Sequence, residues 1–249
     1  GTPTQEMVES YEYAKGGLPN WTEWHGTTTK TPPYEELEPR FHATILYNGA
    51  EWKGRLIEPF VDGVDGWCQW NIDREPMGRT TTGYYLRKLV DEDHDVIAYS
   101  GGVQPLIIMR YAEVLLNKAE ACYHLDQSAD ANAAVKKIRE RVDLPYTDKG
   151  GSALWDAIRQ ERKVELAFEG LWYWDLRRWG VAHKQYPEGL TGYQQHGLKI
   201  ENNGDGTFTY TYVSVDDQDR NFPDEMYRFP MPSGELNNNA LVEQYPEWK

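Results

Sequence analysis

Apolar residues at helical spacing mark the middle of the chain. Ile108, Ala112, Leu115, Ala119 and Cys122 recur at steps of four and three, so they share one helix face. Pro105 suits a first turn, and the pattern predicts a helix over 106–125. Ser128 or Asp130 caps a second predicted helix over 129–142, with Ala131, Ala134, Val135, Ile138 and Val142 on its buried face. Gly150-Gly151 then breaks the chain. Ser152 caps a third predicted helix over 153–178, whose stripe includes Leu154, Ile158, Phe168 and Trp172. Short connections between amphipathic helices imply antiparallel hairpins. Ile108, Leu115, Ile138, Ile158 and Phe168 are the expected buried anchors. The small alanines permit close packing, as in tetratricopeptide-like pairs, although no clean repeat period runs through the chain.

On either side the pattern dissolves. Residues 1–104 carry Gly, Pro and Thr clusters, such as Gly16-Gly17 and Thr31-Pro32-Pro33, with short extended pieces such as Thr44-Ile45-Leu46-Tyr47. Turn formers at this density break helices and place the segment at the surface. Long loops of this kind are commonly functional or disordered. In residues 181–249, Leu198-Lys199-Ile200 and Phe208-Thr209-Tyr210-Thr211-Tyr212-Val213 flank Asn202-Asn203-Gly204-Asp205-Gly206. Alternating β-formers around a glycine-rich turn predict a hairpin. The expected organisation is a single region in three stretches: loop-rich 1–104, helical scaffold 105–180, and hairpin with tail 181–249.

Charge narrows the function classes. Acidic residues outnumber Lys plus Arg 40 to 26, giving a net charge of −14. Such a surface repels phosphate backbones, which argues against nucleic acid as a partner. No apolar run approaches the roughly 20 residues that span a bilayer. Cys122 lies on a helix stripe and reads as a buried thiol, while Cys68 sits in a Trp-rich loop. A bridge between them has no spacing argument behind it. The histidines are scattered without metal-ligand spacing, and neither a P-loop, a dinucleotide fingerprint nor a Gly-x-Ser-x-Gly elbow occurs. No cofactor is expected.

Two sets of residues are candidates for chemistry. Glu161 and Glu165 are four apart and share a helix face. Two carboxylates a few ångströms apart are what a retaining glycosidase needs, yet those usually project from strand ends or loops. On a packed helix, an ionic network with arginines such as Arg110, Arg162, Arg177 and Arg178 is the expected role. Asp91-Glu92-Asp93-His94-Asp95 lacks the spacing and turn glycine of an EF-hand, and Asn203-Gly204-Asp205-Gly206 sits between strands, so a solvated loop and a plain turn are expected instead of calcium sites. The aromatics are the second set, drawn from 10 Trp and 17 Tyr. Trp21-x-x-Trp24 and Trp67-x-x-Trp70 lie in the irregular segment, near polar groups such as Asp73 and Arg74. A flat indole offers apolar contact to the C–H face of a sugar ring, while polar neighbours reach its hydroxyls. The expected ligand-binding residues are therefore Trp21, Trp24, Trp67, Trp70, Asp73 and Arg74.

Three blocks then carry a resemblance. Arg110-Tyr111-Ala112-Glu113-Val114-Leu115-Leu116-Asn117-Lys118-Ala119-Glu120-Ala121 comes first. Glu161-Arg162-Lys163-Val164-Glu165-Leu166-Ala167-Phe168-Glu169-Gly170 follows, running on to Trp172-Tyr173-Trp174-Asp175-Leu176-Arg177-Arg178-Trp179-Gly180. Tyr227-Arg228-Phe229-Pro230-Met231-Pro232 with Glu235-Leu236-Asn237 closes the series. In this order they resemble the SusD/RagB family of outer-membrane nutrient-binding lipoproteins. The tail departs from the family pattern at Gln244-Tyr245-Pro246-Glu247. The resemblance implies a mostly α, SusD-like fold of tetratricopeptide-type helical hairpins with long loops and a small β-hairpin. It implies that the chain corresponds to the C-terminal half of such a protein, with the lipid anchor outside it. It further implies capture of an oligosaccharide or polysaccharide at the cell surface and delivery to a SusC-like TonB-dependent transporter, without catalysis. An oligopeptide ligand, as in some family members, and a glycosidase built on Glu161 and Glu165 are the alternatives.

Overall fold

The structure is a computed structural model that describes residues 2–69, 79–95, 105–186, 189–216 and 218–249. By internal contacts the chain divides into two units. The first comprises residues 1–170 with 195–216, and the second 171–194 with 217–249.

In the first unit, α1 (Gln5–Val8), β1 (Thr27–Thr28), α2 (Pro39–Thr44), β2 (Ile45–Leu46), β3 (Glu51–Trp52), β4 (Arg55–Leu56) and β5 (Tyr85–Leu86) precede three long helices. These are α3 (Tyr111–His124), α4 (Ser128–Glu140) and α5 (Gly151–Glu165). The three pack together through Ala119, Cys122, Ala131, Ala134, Val135, Leu154 and Ile158. The alanines let the helices approach closely, and the three-residue link 125–127 turns α4 back along α3. Asn132 ties the next connection down: its amide donates to the Ser128 and Lys149 carbonyls, and its carbonyl accepts from the Tyr146 hydroxyl at 2.7 Å.

Two of the five expected anchors are misplaced. Ile138 and Ile158 are buried and Leu115 is half-buried, but Ile108 is 88% and Phe168 38% exposed. Residues 105–110 are not helical; the helix begins only at Tyr111. The predicted 153–178 helix stops at Glu165, and Phe168 sits at φ +63° in the break before α6 (Trp172–Arg178). Left-handed backbone at Phe168 swings its ring off the stripe that a continuous helix would give it.

The largest core cluster lies in the stretch that reads as irregular. Val8, Tyr11, Trp21, Trp24, Tyr34, Leu37, Phe41, Ile45 and Tyr84 bury together with Val164 of α5 and with Leu198, Ile200 and Tyr210 of the hairpin. That hairpin, β6 (His196–Asn202) and β7 (Phe208–Ser214), is antiparallel, and β1 extends it to the order β1-β7-β6. Its turn uses Gly204 and Gly206 at positive φ, with Thr207 Oγ1 donating to Asp205 Oδ1 at 2.6 Å. The turn is thereby closed by its own side chains.

The second unit has a small core of Leu176, Val181, Ala182 and Phe222. The guanidinium of Arg177 lies 4.2 Å from the centroid of Phe229 and donates to the Tyr227 carbonyl. α7 (Ser233–Asn238) lies in the tail. Among the described residues no helix is long and apolar enough to cross a membrane. Cys68 and Cys122 are buried and are not bridged to each other.

Candidate functional site

The four expected tryptophan platforms separate. Trp21 and Trp24 are only 4% and 5% exposed and meet edge-to-face at 5.4 Å within the aromatic core. The Trp24 indole N–H donates to the Lys30 carbonyl at 2.9 Å. Neither ring has a free face for a ligand, so both are packing residues and not the expected platforms. Trp70, Asp73 and Arg74 lie outside the described residues.

Trp67 is placed differently. It is half-buried at the edge of the hairpin, paired through its backbone with Thr80. Its indole nitrogen is turned inward and has no hydrogen-bond partner among the described residues. Lys199 of β6 holds its ammonium 5.8 Å from the Trp67 ring centroid and donates to Glu201 at 2.8 Å. Strand alternation explains the pairing: Leu198 and Ile200 point into the core, so Lys199 and Glu201 share the outer face. A part-exposed indole, an ammonium and a carboxylate supply both an apolar platform and groups for hydroxyls. Sequence reasoning missed Lys199 and Glu201, although the alternation along residues 198–201 is the signal that finds them.

The segment opposite is seated by close backbone contact. Cys68 N–H donates to the Thr80 carbonyl at 2.9 Å, and Leu198 N–H to the Thr82 carbonyl at 3.0 Å. Thr80 Oγ1 donates to the Tyr84 carbonyl at 2.9 Å. The loop that holds Trp67 is therefore braced through Thr80 to a segment lying on β6.

Glu161 and Glu165 occupy a buried ionic lattice. They are 2% and 3% exposed. Glu161 is paired with Arg40 and with Arg139 Nη1 at 3.0 Å. Glu165 accepts from Arg110 at 2.6 Å, Arg141 at 2.8 Å and Arg40 at 3.1 Å. Arg139 also clasps Glu12, and Arg40 clasps Glu38. At the end of α5, Lys88 and Arg110 both reach Glu169, and they donate to the Glu165 carbonyl. Cations there satisfy the unpaired carbonyls of the last turn and oppose the negative end of the helix dipole. Of the arginines expected from sequence as partners of Glu161 and Glu165, Arg110 takes that role at Glu165. Arg162 instead donates to Asn117 at 2.7 Å, Arg177 to the Tyr227 carbonyl and Arg178 to Asp175.

These pairings set the titration. Burial raises the Glu165 carboxyl, but hydrogen bonding and charge from Arg110, then Arg141 and Arg40, outweigh it, and its pKa falls below the ordinary 4.5. Glu12 is lowered in the same way by Arg139, and Glu169 by Arg110 and Lys88. Glu38 goes the other way, because burial outweighs Arg40. A depressed carboxylate stabilises the fold above its unfolded pKa, and that contribution is lost as pH falls through the folded value. With three groups lowered and one raised, stability is expected to drop below about pH 4.5. Urea midpoints at pH 7 and about pH 3.5 check this; a midpoint that rises in acid contradicts it. Among the described residues no cluster of three or more His, Cys, Asp or Glu is arranged to hold a metal.

Packed helical hairpins, an aromatic core with a three-stranded sheet at its side, and a buried carboxylate–guanidinium lattice define a mostly α fold. The chain belongs to the SusD family, whose sequence model matches residues 1–248. It is similar to the SusD-like protein P38 of Formosa agariphila, 40% identical over 87 residues, which is 31% of this chain and 17% of that protein. It is also similar to the SusD-like protein P25 of the same organism, 33% identical over 116 residues, 45% and 22% of the two chains. Among solved structures, a SusD-like protein of Bacteroides fragilis matches 98% of this chain at 28% identity with a TM-score of 0.79. A SusD-like carbohydrate-binding protein of the same species matches 97% at 25% identity, TM-score 0.71. This chain spans 46% and 48% of the length of those two structures.

Proposed function

We propose that this protein captures oligosaccharide or polysaccharide at the outer surface of a Gram-negative outer membrane and delivers it to a SusC-like TonB-dependent transporter. The complete protein is held by a lipid anchor carried outside this chain and lies as a lid on the transporter barrel. Capture needs affinity and release, with no covalent step. The observation that carries this reading is Trp67, a part-exposed indole beside Lys199 and Glu201. Trp70, Asp73 and Arg74, which follow in sequence, are proposed as further ligand contacts. The description of one solved relative as carbohydrate-binding supports the choice of ligand class.

The arrangement of Glu161 and Glu165 favours binding over hydrolysis. Each carboxylate is saturated by guanidinium groups and buried. A general acid needs a proton to give and a path to substrate, and a nucleophile needs a free oxygen.

Trp67→Ala in the complete protein tests the reading. Loss of a stacking indole is expected to cost about 2 kcal/mol, a roughly thirtyfold weaker glycan affinity, with the circular dichroism spectrum unchanged. Full affinity in a folded variant contradicts the site. Selective binding of oligopeptides in place of glycans contradicts the ligand class.

A further inference from the structure

The outer face of the three-stranded sheet continues the Trp67 site across the strands. β1, β7 and β6 lie side by side, and their register sets Thr27 opposite Thr211 and Thr211 opposite Lys199. Residues directly opposite each other share a face. The next rung, Thr28, Tyr210 and Ile200, turns the other way, with Tyr210 and Ile200 buried in the core. On the outer side Thr27 is exposed, and Thr211 and Lys199 are part-exposed. Trp67 follows beyond Lys199, its ring centroid 5.8 Å from the ammonium. Trp67, Lys199, Thr211 and Thr27 thus form one row.

The row begins with a flat indole, passes a charge pair and ends in hydroxyls. Lys199 donates to Glu201 at 2.8 Å, so its charge is already balanced. That balance, with the net charge of −14, disfavours a polyanion. The Thr27 and Thr211 hydroxyls stand 3.4 Å apart, a long contact that leaves each able to donate and accept elsewhere. Thr209, two residues along β7, differs: its hydroxyl donates to Asn203 at 3.0 Å and helps close the turn. Neighbouring strands lie about 4.8 Å apart, close to the advance of one pyranose ring in an extended chain. From Lys199 to Thr27 the row spans about 10 Å. One ring per strand brings a ring edge to each polar side chain in turn, whereas a chain that coils lifts off a straight row.

We propose that this row is an extended subsite for a neutral glycan whose equatorial linkages keep its rings in line. One ring stacks on Trp67, the next lies beside Lys199 and Glu201, and the following two reach Thr211 and Thr27. The inference rests on Trp67 as the ligand platform, and it adds the direction, length and class of the chain that begins there.

Titration calorimetry of the complete protein tests it, with cello-, β-manno- and malto-oligosaccharides and oligogalacturonides, each from two rings to six. Affinity for a cello- or β-manno-oligosaccharide is expected to rise up to four rings and then level off. Thr211→Val keeps the branched shape that suits a strand and removes the hydroxyl. It is expected to weaken binding about fivefold from three rings upward. Thr27→Val is expected to act by a similar factor from four rings upward. Two-ring affinity and melting temperature stay unchanged in both, while Trp67→Ala weakens binding at every length. If Trp67→Ala does so and both threonine variants match the wild type at every length, the row is overturned and the Trp67 platform stands. If a folded Trp67→Ala keeps full affinity, the platform itself fails and the row with it. An equal loss at all lengths in a threonine variant also overturns the row. So does the absence of binding to either extended ladder, or tighter binding of malto-oligosaccharides or oligogalacturonides.

Discussion

Glu165→Gln is expected to destabilise the protein by about 3–5 kcal/mol. Glu165 is 3% exposed and accepts from Arg110, Arg141 and Arg40. A glutamine of the same shape removes the negative charge and turns an amide NH₂ toward donors. Three guanidinium groups then lose a shared counter-charge; Arg40 keeps Glu38 and Glu161 and Arg110 keeps Glu169, but the buried cluster is left with one uncompensated positive charge. The cost comes from that uncompensated charge in a buried setting, so it exceeds the net worth of the intact lattice. Arg141 supplies an internal control. Its side chain is well exposed, so Arg141→Ala is expected to cost less than about 1 kcal/mol. Urea unfolding of both variants decides the matter. A Glu165→Gln cost as small as that of Arg141→Ala contradicts the lattice account.

Gly197→Ala is the second large effect. A Cβ at Gly197 would lie 2.4 Å from Thr82 Cα and 2.6 Å from the Thr82 carbonyl oxygen. Both obstacles are backbone, so no side chain swings away to relieve them. Across the same contact, Gly83 adopts φ +81°, and a Cβ there would lie 2.3 Å from the Leu198 carbonyl oxygen. β6 and the 80–84 segment thus touch backbone to backbone. Forcing them apart is expected to cost about 3 kcal/mol, a fall in melting temperature of roughly 6–12 °C for a chain of this size. The displaced segment includes Thr80, the backbone partner of Trp67 and Cys68. Glycan affinity is therefore expected to fall together with stability. An alanine variant with an unchanged melting temperature contradicts the close approach.

The helical scaffold was legible because burial on one face leaves a periodic trace. Ala131, Ala134, Val135, Ile138, Leu154 and Ile158 show that trace and are buried. Periodicity does not mark where a helix stops. The break after Glu165 rests on tertiary ties: Lys88 and Arg110 draw Glu169 and the last carbonyls of α5 together. The ionic lattice was half legible. Charges four apart on a packed stripe demand partners, but Arg40 lies 121 residues from Glu161 in sequence, and no spacing rule spans that separation.

The tryptophans show a different limit. An indole in a turn-rich segment looks the same in sequence whether it anchors a loop or faces a ligand. Trp21 and Trp24 are anchors because Tyr34, Phe41, Tyr47 and Tyr84 form an aromatic cluster in that same segment. Short 3₁₀ turns and two-residue strands gather these rings without leaving a periodic pattern. Trp67 differs through its position beside Lys199, a contact that exists only once the hairpin is folded against the loop.

Capture without cleavage is the central claim. Electrophoresis of the complete protein through gels containing candidate polysaccharides, paired with an assay for newly formed reducing ends in the same mixtures, tests it most directly. The expected result is retarded migration in at least one polysaccharide gel, loss of that retardation in Trp67→Ala, and no reducing ends from any mixture. Reducing ends that accumulate with wild-type protein and vanish in a folded Glu165→Gln variant would contradict it.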